Sequence, residues 1–329
     1  MAIAAFLAGA VISLGTSWVL VTRLERLGER LGFSEAILGL LAALAADTPE
    51  ITSAVTALVH HEGSVGSGVV IGSNVFNLAA LLGLGAVVAG RIVLHRKVVV
   101  LGGAVASWVA IVCVVSVAGL VPAGPGLALV LVVLVPYVVL LAAGHPALAA
   151  LRLPPRSVAW LTSAVAEEES ELAVAIRPRP GTRRDAAVAA VALVVIVGSS
   201  VVMERAASSI GRHDQIAGIV VGGLVLAAVT SLPNAVAGVY LAARGRGAAM
   251  LSTTLSSNTL NVVLGLLLPA TVIGLARPTG RETLMVAWYG ALTVVTLAFA
   301  YVGRGLCRWH GWVVVAAYGG FVVSLLAVS

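Results

Sequence analysis

Two related polar interruptions inside long apolar segments constrain the fold of this chain more than any other feature of its sequence. They are residues 46–50 (Ala-Asp-Thr-Pro-Glu) with 72–77 (Gly-Ser-Asn-Val-Phe-Asn), and residues 230–234 (Thr-Ser-Leu-Pro-Asn) with 256–261 (Ser-Ser-Asn-Thr-Leu-Asn). The two copies keep one register, since 233 − 49 and 258 − 74 both equal 184. A proline with acidic and amide neighbours is costly within an apolar helix. Its recurrence at a fixed spacing predicts an internally repeated membrane transporter with a binding site between the repeats.

The composition indicates an integral membrane protein. Of the 329 residues, 60% are hydrophobic and only 10% are charged, and the mean hydropathy is +1.08. The apolar runs are too long and continuous for the alternating strands of a membrane barrel. We predict an all-α protein with ten spans, each near the ~20 residues that a helix needs to cross a bilayer. The predicted spans are residues 2–21, 34–59, 65–90, 98–121, 125–143, 185–203, 215–243, 248–275, 283–302 and 310–328.

The basic residues predict the orientation of these spans in the membrane. Sixteen of the 20 Lys and Arg residues lie in loops that follow odd-numbered spans, and four lie in the even-numbered loops. The positive-inside rule therefore places the odd loops in the cytoplasm and both termini outside, in a bacterial-type inner (plasma) membrane. We interpret the net charge of +6 in this way rather than as a sign of nucleic-acid binding. The sequence leaves the oligomeric state open, and a monomer is compatible with it.

The repeats predict two five-helix halves of inverted topology. Corresponding spans are five crossings apart, so they run in opposite directions through the membrane. We expect a first half at 1–143 with a repeat at about 39–84, and a second half at 185–329 with a repeat at about 223–268, with helices 2 and 7 broken at their prolines. A cytoplasmic linker, 144–184, joins them. Its acidic run, Glu167 to Glu171, is interpreted as solvated, and a regulatory calcium site is the alternative.

The paired motifs resemble the α-repeats of the sodium/calcium exchanger family, within the calcium/cation antiporter superfamily. Those repeats typically read G-[TS]-S-x-P-E on one helix and G-S-N-x-x-N on the next. The matching residues are Pro49-Glu50 and 72–77 in repeat 1, and 230–233, Ser257-Asn258 and Asn261 in repeat 2. The resemblance covers essentially the whole chain, including the ten-span layout of the prokaryotic members. It implies a secondary active cation antiporter that works by alternating access, with no cofactor besides the transported ions, Ca²⁺ and Na⁺ or H⁺.

The chain departs from the family pattern at the residues that carry charge. The family usually has glutamate after both prolines, whereas this chain has Glu50 in repeat 1 and Asn234 in repeat 2. Asp47 stands where a hydroxyl residue is usual, and Asn258 stands where aspartate is common. Both acids of the repeats therefore lie on one helix, and the departures put the identity and number of the transported ions in question.

The two acids are the main candidates for cation binding. Asp47 and Glu50 are three residues apart and share a helical face. Two carboxylates close together in a low dielectric repel each other, and a divalent cation, sodium ions or protons would relieve that repulsion. Glu50 also matches the cation ligand of the family. For Asp47 three roles stay open: a ligand, a proton carrier, or a structural group capped by Thr48 or Ser53.

Neutral oxygens complete the predicted site between spans 2, 3, 7 and 8. Asn74 and Asn258 could offer amide carbonyls as metal ligands, or could bond a broken helix and hold it open. Pro49 and Pro233 each remove a backbone donor and so free carbonyl groups. Asn77 and Asn261 are interpreted as polar contacts between helices.

Further candidates follow from the resemblance alone. It implies hydroxyl ligands at Thr230 and Ser231, a sodium ligand at Thr254, and carbonyl ligands at Ala43 and Ala227, with Asn234 in place of the second glutamate. For Thr254 the alternative is a bond to its own helix, and for the alanines it is close helix packing.

Function is therefore predicted as sodium/calcium-exchanger-like antiport. The alternative is a proton/cation exchanger, for monovalent or divalent cations, that uses Asp47 or Glu50 as its proton carrier. An intramembrane hydrolase with these two acids would leave the inverted repeat unexplained, so we expect no enzyme activity. A passive channel or an ion-binding sensor is a further alternative. A flux assay separates it from an antiporter, because only an antiporter requires a counter-ion.

Overall fold

A computed structural model of the protein describes residues 2–33, 35–150, 156, 158–166, 181–275 and 278–328. Its main helices are named here α1 to α10 in chain order, with a and b for the two parts of a bent helix. They are α1 Ala2–Leu31, α2a Glu35–Ala46, α2b Thr48–Val59, α3 Gly63–Ala89, α4 Arg96–Val117, α5 Ala123–Ala150, α6 Arg183–His213, α7a Gly218–Thr230, α7b Leu232–Ala243, α8 Gly247–Ile273, α9 Gly280–Val302 and α10 Arg308–Ala327.

The prediction of an all-α membrane protein is confirmed. Within the described residues, eight continuous helices are long and apolar enough to cross a membrane, and the bent pairs α2 and α7 raise the number to ten. Large apolar side chains are exposed on the outer faces of these helices, for example Val191 and Val194 of α6. Such a surface suits lipid rather than water.

The two broken helices bend at equivalent places. α2 bends by 53° at Asp47 and α7 by 49° at Ser231, and 231 − 47 is again 184. Pro49 and Pro233 lie in the first turn of the helix after each break. The missing N–H of proline is tolerated there because the first turn of a helix has no partner for it within the helix. The bends therefore follow directly from the prolines of the repeats.

Three helices contain π-helical stretches that the sequence did not predict. Leu78–Leu84 in α3 and Asn261–Leu267 in α8 begin at or just after the last asparagine of each repeat motif. A third stretch, Val221–Leu226, lies in α7a, whereas the equivalent helix α2a is regular. π-Helical turns are rare and frequent at functional sites. The two halves thus share the bends and the π-helical stretches after the asparagines, but α7a differs from α2a in local conformation.

Helices α3 and α7a pack with their backbones in close contact. A Cβ atom added to Gly72 would lie 2.2 Å from the backbone oxygen of Gly223, and one on Gly222 would lie 2.2 Å from the oxygen of Val65. Only glycine allows backbones to approach so closely. This contact joins the first half of the chain to the second near the bends.

Helices α1 and α6 pack against each other as an antiparallel pair. The Arg23 guanidinium donates to Asp185 at 2.7 Å near one end, and the hydroxyls of Ser13 and Ser200 lie 3.4 Å apart further along. Both helices are about ten residues longer than the predicted spans 2–21 and 185–203. The charged residues that seemed to end these spans instead continue the helices and connect the pair.

At its other end, the α1–α6 pair contacts the turn between α2b and α3. Arg212 of α6 donates to Glu62 at 2.5 Å, and Ser208 bridges Glu62 and the buried Glu204 at 2.5 and 3.0 Å. These charged contacts attach the pair to the helices that carry the repeats.

A two-stranded antiparallel sheet was not predicted. Strand β1, Arg91–Val93, follows α3, and strand β2, Gly305–Cys307, follows α9, with Ile92 opposite Leu306. The linker contains a helical stretch at 158–166, whose residue Val165 packs with Leu140 and Ala249. The acidic run Glu167 to Glu171, with its alternative calcium site, lies outside the described residues. The division of the chain at 143 and 185 stays a prediction.

Candidate functional site

The two carboxylates of repeat 1 lie where the bends of α2 and α7 meet. Asp47, Glu50 and Asn234 all have 0% exposure. The Asn234 amide nitrogen donates to Asp47 Oδ1 at 2.6 Å and to Glu50 Oε1 at 3.3 Å. Ser231 Oγ donates to Glu50 Oε1 at 2.8 Å, and Ser257 Oγ donates to Asp47 Oδ1. Acids from the first half are therefore held by neutral donors from the second half.

Each of these carboxylates keeps one oxygen without a hydrogen-bond partner. On α2, α3, α7b and α8, buried oxygens of this kind are Asp47 Oδ2, Glu50 Oε2, Asn234 Oδ1, Ser53 Oγ, Ser73 Oγ, Asn77 Oδ1 and Asn261 Oδ1. A buried polar atom without a partner costs about 1–3 kcal/mol, and more when it is charged. Asp47, Glu50 and Asn234 are joined by hydrogen bonds and each has one such oxygen, so this group is expensive unless a cation or proton binds there.

The acidic content of the site is limited to these two side chains. In the described part of the chain, no three His, Cys, Asp or Glu side chains are grouped so that they could hold a metal ion. Nor does any ion pair found there involve Asp47 or Glu50. The remaining ligands of a cation would be amide, hydroxyl and backbone oxygens, which suit hard ions such as Ca²⁺ and Na⁺.

The asparagines of the repeats form a symmetric set of bonds between α3 and α8. Asn74 Nδ2 donates to the backbone oxygen of Asn258, and Asn258 Nδ2 donates to that of Asn74, both at 3.1 Å. Asn77 Nδ2 reaches Asn258 Oδ1 at 3.1 Å, and Asn261 Nδ2 reaches Asn74 Oδ1 at 3.3 Å. These bonds join α3 to α8 and do not reach the broken helices α2 and α7, so the alternative role of Asn74 and Asn258, bonding a broken helix, is not seen here. Ligation by them stays a prediction.

The remaining predicted oxygens are bonded within their own helices. Thr230 Oγ1 donates to Leu226 O at 2.9 Å and Thr254 Oγ1 to Met250 O at 2.8 Å. The carbonyl oxygens of Ala43 and Ala227 accept the backbone N–H of Asp47 at 2.8 Å and of Ser231 at 3.1 Å. The structure therefore brings together Asp47, Glu50, Ser231 and Asn234. It leaves the two threonines and two alanines in regular helical bonds.

Some predictions need revision at the level of single side chains. Neither Thr48 nor Ser53 caps Asp47, since Thr48 donates to Leu44 O at 3.0 Å and Ser53 Oγ has no partner. The hydroxyl that donates to Asp47 belongs instead to Ser257, which was not singled out as a site residue. Its place in the repeat motif, equivalent to Ser73, was the signal that could have identified it. The Tyr289 side chain of α9 also lies close to the Asn74 side chain, and no motif indicates it.

These features define a class of protein. A buried acidic pair at the meeting point of two broken helices, within an inverted repeat, is typical of a secondary membrane transporter. The chain belongs to the sodium/calcium exchanger protein family, whose model matches residues 1–166 and 185–327. The resemblance seen in the sequence is thereby confirmed.

Solved exchangers share the fold at low sequence identity. The sodium-calcium exchanger NCX_Mj is 18% identical, with a TM-score of 0.64 and full coverage (100%) of both chains. The H⁺/Ca²⁺ exchanger CAX is 16% identical, with a TM-score of 0.69, over 100% of this chain and 82% of that one. Among curated proteins, the "Putative antiporter CaxA" of Alkalimonas amylolytica is 29% identical over 86 residues. That match spans about a quarter of each protein, 26% of this chain and 27% of the relative.

Proposed function

We propose that this protein is a secondary active cation antiporter that exchanges calcium for sodium by alternating access. The observation that carries the proposal is the buried pair of Asp47 and Glu50, each with an oxygen left unpartnered where two broken helices meet. Two negative charges balance one Ca²⁺ or two monovalent ions, so alternative occupancy by either cargo keeps the buried charge small. Membership of the exchanger family supports the same function.

In this proposal Asp47 and Glu50 provide the charged ligands. Neutral ligands are proposed from the oxygens of Asn74, Asn234, Asn258, Thr230, Ser231 and Thr254, and from the backbone carbonyls of Ala43 and Ala227. The α1–α6 pair would move as one body relative to α2, α3, α7 and α8. The ion pair between Arg23 and Asp185 supports this, because it joins the two helices directly.

The setting of transport is part of the same proposal. Both termini would lie outside and the linker 144–184 in the cytoplasm, in a bacterial-type inner membrane. The gradient of the second ion would supply the energy, with no cofactor, no nucleic-acid partner and no chemical reaction. The halves 1–143 and 185–329 would form the two repeats of the transport unit.

A proton/cation exchanger is the second candidate, and one observation favours it. A single amide nitrogen, Asn234 Nδ2, contacts Asp47 Oδ1 at 2.6 Å and Glu50 Oε1 at 3.3 Å. Two buried carboxylates this close repel each other when both are charged, and a proton on one relieves the repulsion. Either acid would then carry the proton that is exchanged for the cation.

Flux measurements in proteoliposomes test both candidates. Sodium, potassium, proton and calcium gradients are varied independently, and calcium uptake is followed. We expect uptake that requires an opposing sodium gradient, whereas uptake driven by a pH gradient would identify the proton exchanger. Glu50→Gln should abolish coupled flux, and Glu29→Gln, at an exposed position of α1, should not change it. Calcium flux without any counter-ion, or normal flux in Glu50→Gln, would overturn the proposal.

A further inference from the structure

A third acidic side chain lies on the wall of a cavity that ends at the candidate cation site. The cavity has a volume of about 310 Å³ and lies between α1, α2a, α7b and α8. Its deep end is lined by Ala46 and Asn234, which are next to the carboxylate pair, and Glu25 of α1 lines its wall. The transport proposal above does not use Glu25.

The helix directions place Glu25 near the mouth of the cavity. Ser17, Val21 and Glu25 follow each other at intervals of four residues, so they share one face of α1 and extend over about 12 Å. Along α7b the cavity lining runs from Asn234 to Tyr240, which is about 9 Å further toward the end of that helix. Both helices end on the side of the membrane where the linker lies. The cavity therefore leads from the carboxylate pair toward the linker side.

An aromatic residue marks the level of the mouth. Tyr240 lines the cavity and is 55% exposed, and the Arg244 guanidinium lies 5.0 Å from the Tyr240 ring centre. Tryptophan and tyrosine concentrate where lipid meets water, and arginine side chains extend toward the same level. The cavity thus opens close to the water boundary.

Oxygen atoms without partners lie along this route. Ser17 Oγ and Asn234 Oδ1 are buried, have no hydrogen-bond partner, and belong to residues that line the cavity. In the described part of the chain, no hydrogen bond or ion pair is found for the Glu25 carboxylate either. A carboxylate in a largely apolar wall is costly, and such residues mark ion pathways in membrane proteins.

We propose that this cavity is the path of the transported cation on the linker side, and that Glu25 is a cation-binding carboxylate on that path. The inference rests on the proposed antiport function. Its ligand is the hydrated cation, monovalent or divalent, which Glu25 holds before or after the cation occupies the site of Asp47 and Glu50. A negative group in a narrow cleft raises the local cation concentration, and this raises the apparent affinity on that side alone.

The proposal is tested by measuring the KM of the Glu25→Gln variant for the cation separately on each side of the membrane. In proteoliposomes of known orientation, we expect the KM for the cation on the linker side to rise about tenfold. The KM on the other side and the maximal rate should stay unchanged, and Glu25→Asp should restore much of the affinity. Glu29→Gln, one turn further along α1 and exposed, is the matched control. Equal changes on both sides, or none, would overturn the role of Glu25 while leaving antiport by the wild type intact.

A labelling experiment tests the path without relying on transport. Cys113 is buried, so a Cys307→Ser background leaves no accessible thiol. A small impermeant thiol reagent applied on the linker side should modify a Val21→Cys variant, because Val21 lines the cavity and is only half-buried, and bound cation should slow the reaction. A Ser13→Cys variant, two turns earlier, buried and close to Ser200, should not react. An unreactive Val21→Cys variant, or equal reaction at both positions, would exclude this cavity as the path.

Discussion

At the scale of single residues, the two carboxylates are held by different partners. Asp47 accepts from Ser257 and Asn234, and Glu50 accepts from Ser231 and Asn234. Asn234 occupies the place in repeat 2 that Glu50 occupies in repeat 1, since 234 − 50 is 184. The neutral amide therefore fills the position of a third acid and connects the two acids that remain.

The geometry predicts that Asp47 is a cation ligand as important as Glu50. Removing one member of a buried charged group costs about 3–5 kcal/mol, which is at least about a hundredfold in affinity. We expect Asp47→Asn to weaken calcium binding to that extent, similar to Glu50→Gln, in equilibrium binding to the purified protein. Adding Asn234→Asp to Asp47→Asn should restore part of the affinity, because both side chains lie in one cluster.

Two other results for Asp47→Asn would each contradict that role. Calcium affinity that is unchanged, together with transport that no longer depends on pH, would identify Asp47 as the proton carrier. If neither affinity nor pH dependence changes, Asp47 is structural. The site would then contain one functional acid, and a monovalent cargo would replace calcium.

The sequence was sufficient to predict the two acids and their partners Ser231 and Asn234, but not the partner Ser257. Asp47 and Glu50 follow from a spacing of three residues and from the cost of acids within a span. The bond from Ser257 to Asp47 joins residues 210 positions apart, and it depends on how α8 crosses α2. Spacing along one helix carries no information about such a crossing. The same reason explains why the contact between Tyr289 and Asn74 was not foreseen.

At the scale of helices, the bends and the close contact of α3 with α7a position the site. The prolines predicted both bends, because proline acts locally on its own helix. The π-helical stretches and the β1–β2 pair depend on packing between distant segments, and no local sequence pattern predicts them. The long ends of α1 and α6 were missed because charged residues there have partners outside their own helix: Arg23 of α1 pairs with Asp185, and Arg212 of α6 pairs with Glu62.

The contact between α3 and α7a predicts a strong effect of Gly72→Ala. The added methyl group would lie 2.2 Å from a backbone oxygen of Gly223, and the neighbouring backbone cannot move aside as a flexible side chain could. Overpacking typically costs about 1–3 kcal/mol, and we expect the upper end of that range or more. Thermal unfolding of the purified protein should show a clear loss of stability.

Gly198→Ala in α6 is the control for this prediction. A Cβ atom there would meet nothing within 4 Å, and alanine favours helix over glycine. Its melting temperature should be equal to or above that of the wild type. A Gly72→Ala protein that is as stable as Gly198→Ala would mean that α3 and α7a do not approach so closely.

At the scale of the whole molecule, the two sides of the membrane differ. On the side of the termini, Arg212 and Ser208 join α6 to the α2b–α3 turn through Glu62. On the linker side, the cavity between α1 and α7b leads from the surface region to Asn234. In terms of alternating access, α6 is joined to repeat 1 on the first side, and a cavity lies between α1 and α7b of repeat 2 on the second.

The basic residues predict which of these sides faces the cytoplasm. In the Cys307→Ser background, a Ser170→Cys variant should react with an impermeant thiol reagent in inverted vesicles and not in intact cells. A Gln215→Cys variant, between α6 and α7, should show the opposite pattern. Labelling of Ser170→Cys from outside intact cells would reverse the orientation derived from the 20 basic residues.

The placement of both acids in one repeat also bears on whether the two halves could work apart. The asparagines match one for one, since Asn74 and Asn258 bond each other reciprocally, but the acids do not. Two copies of the first half would bring four acids to the site, Asp47 and Glu50 from each copy, and two copies of the second half would bring none. Each half is therefore complementary to the other and not to a copy of itself. Joining them in one chain ensures that every acidic half meets a neutral one.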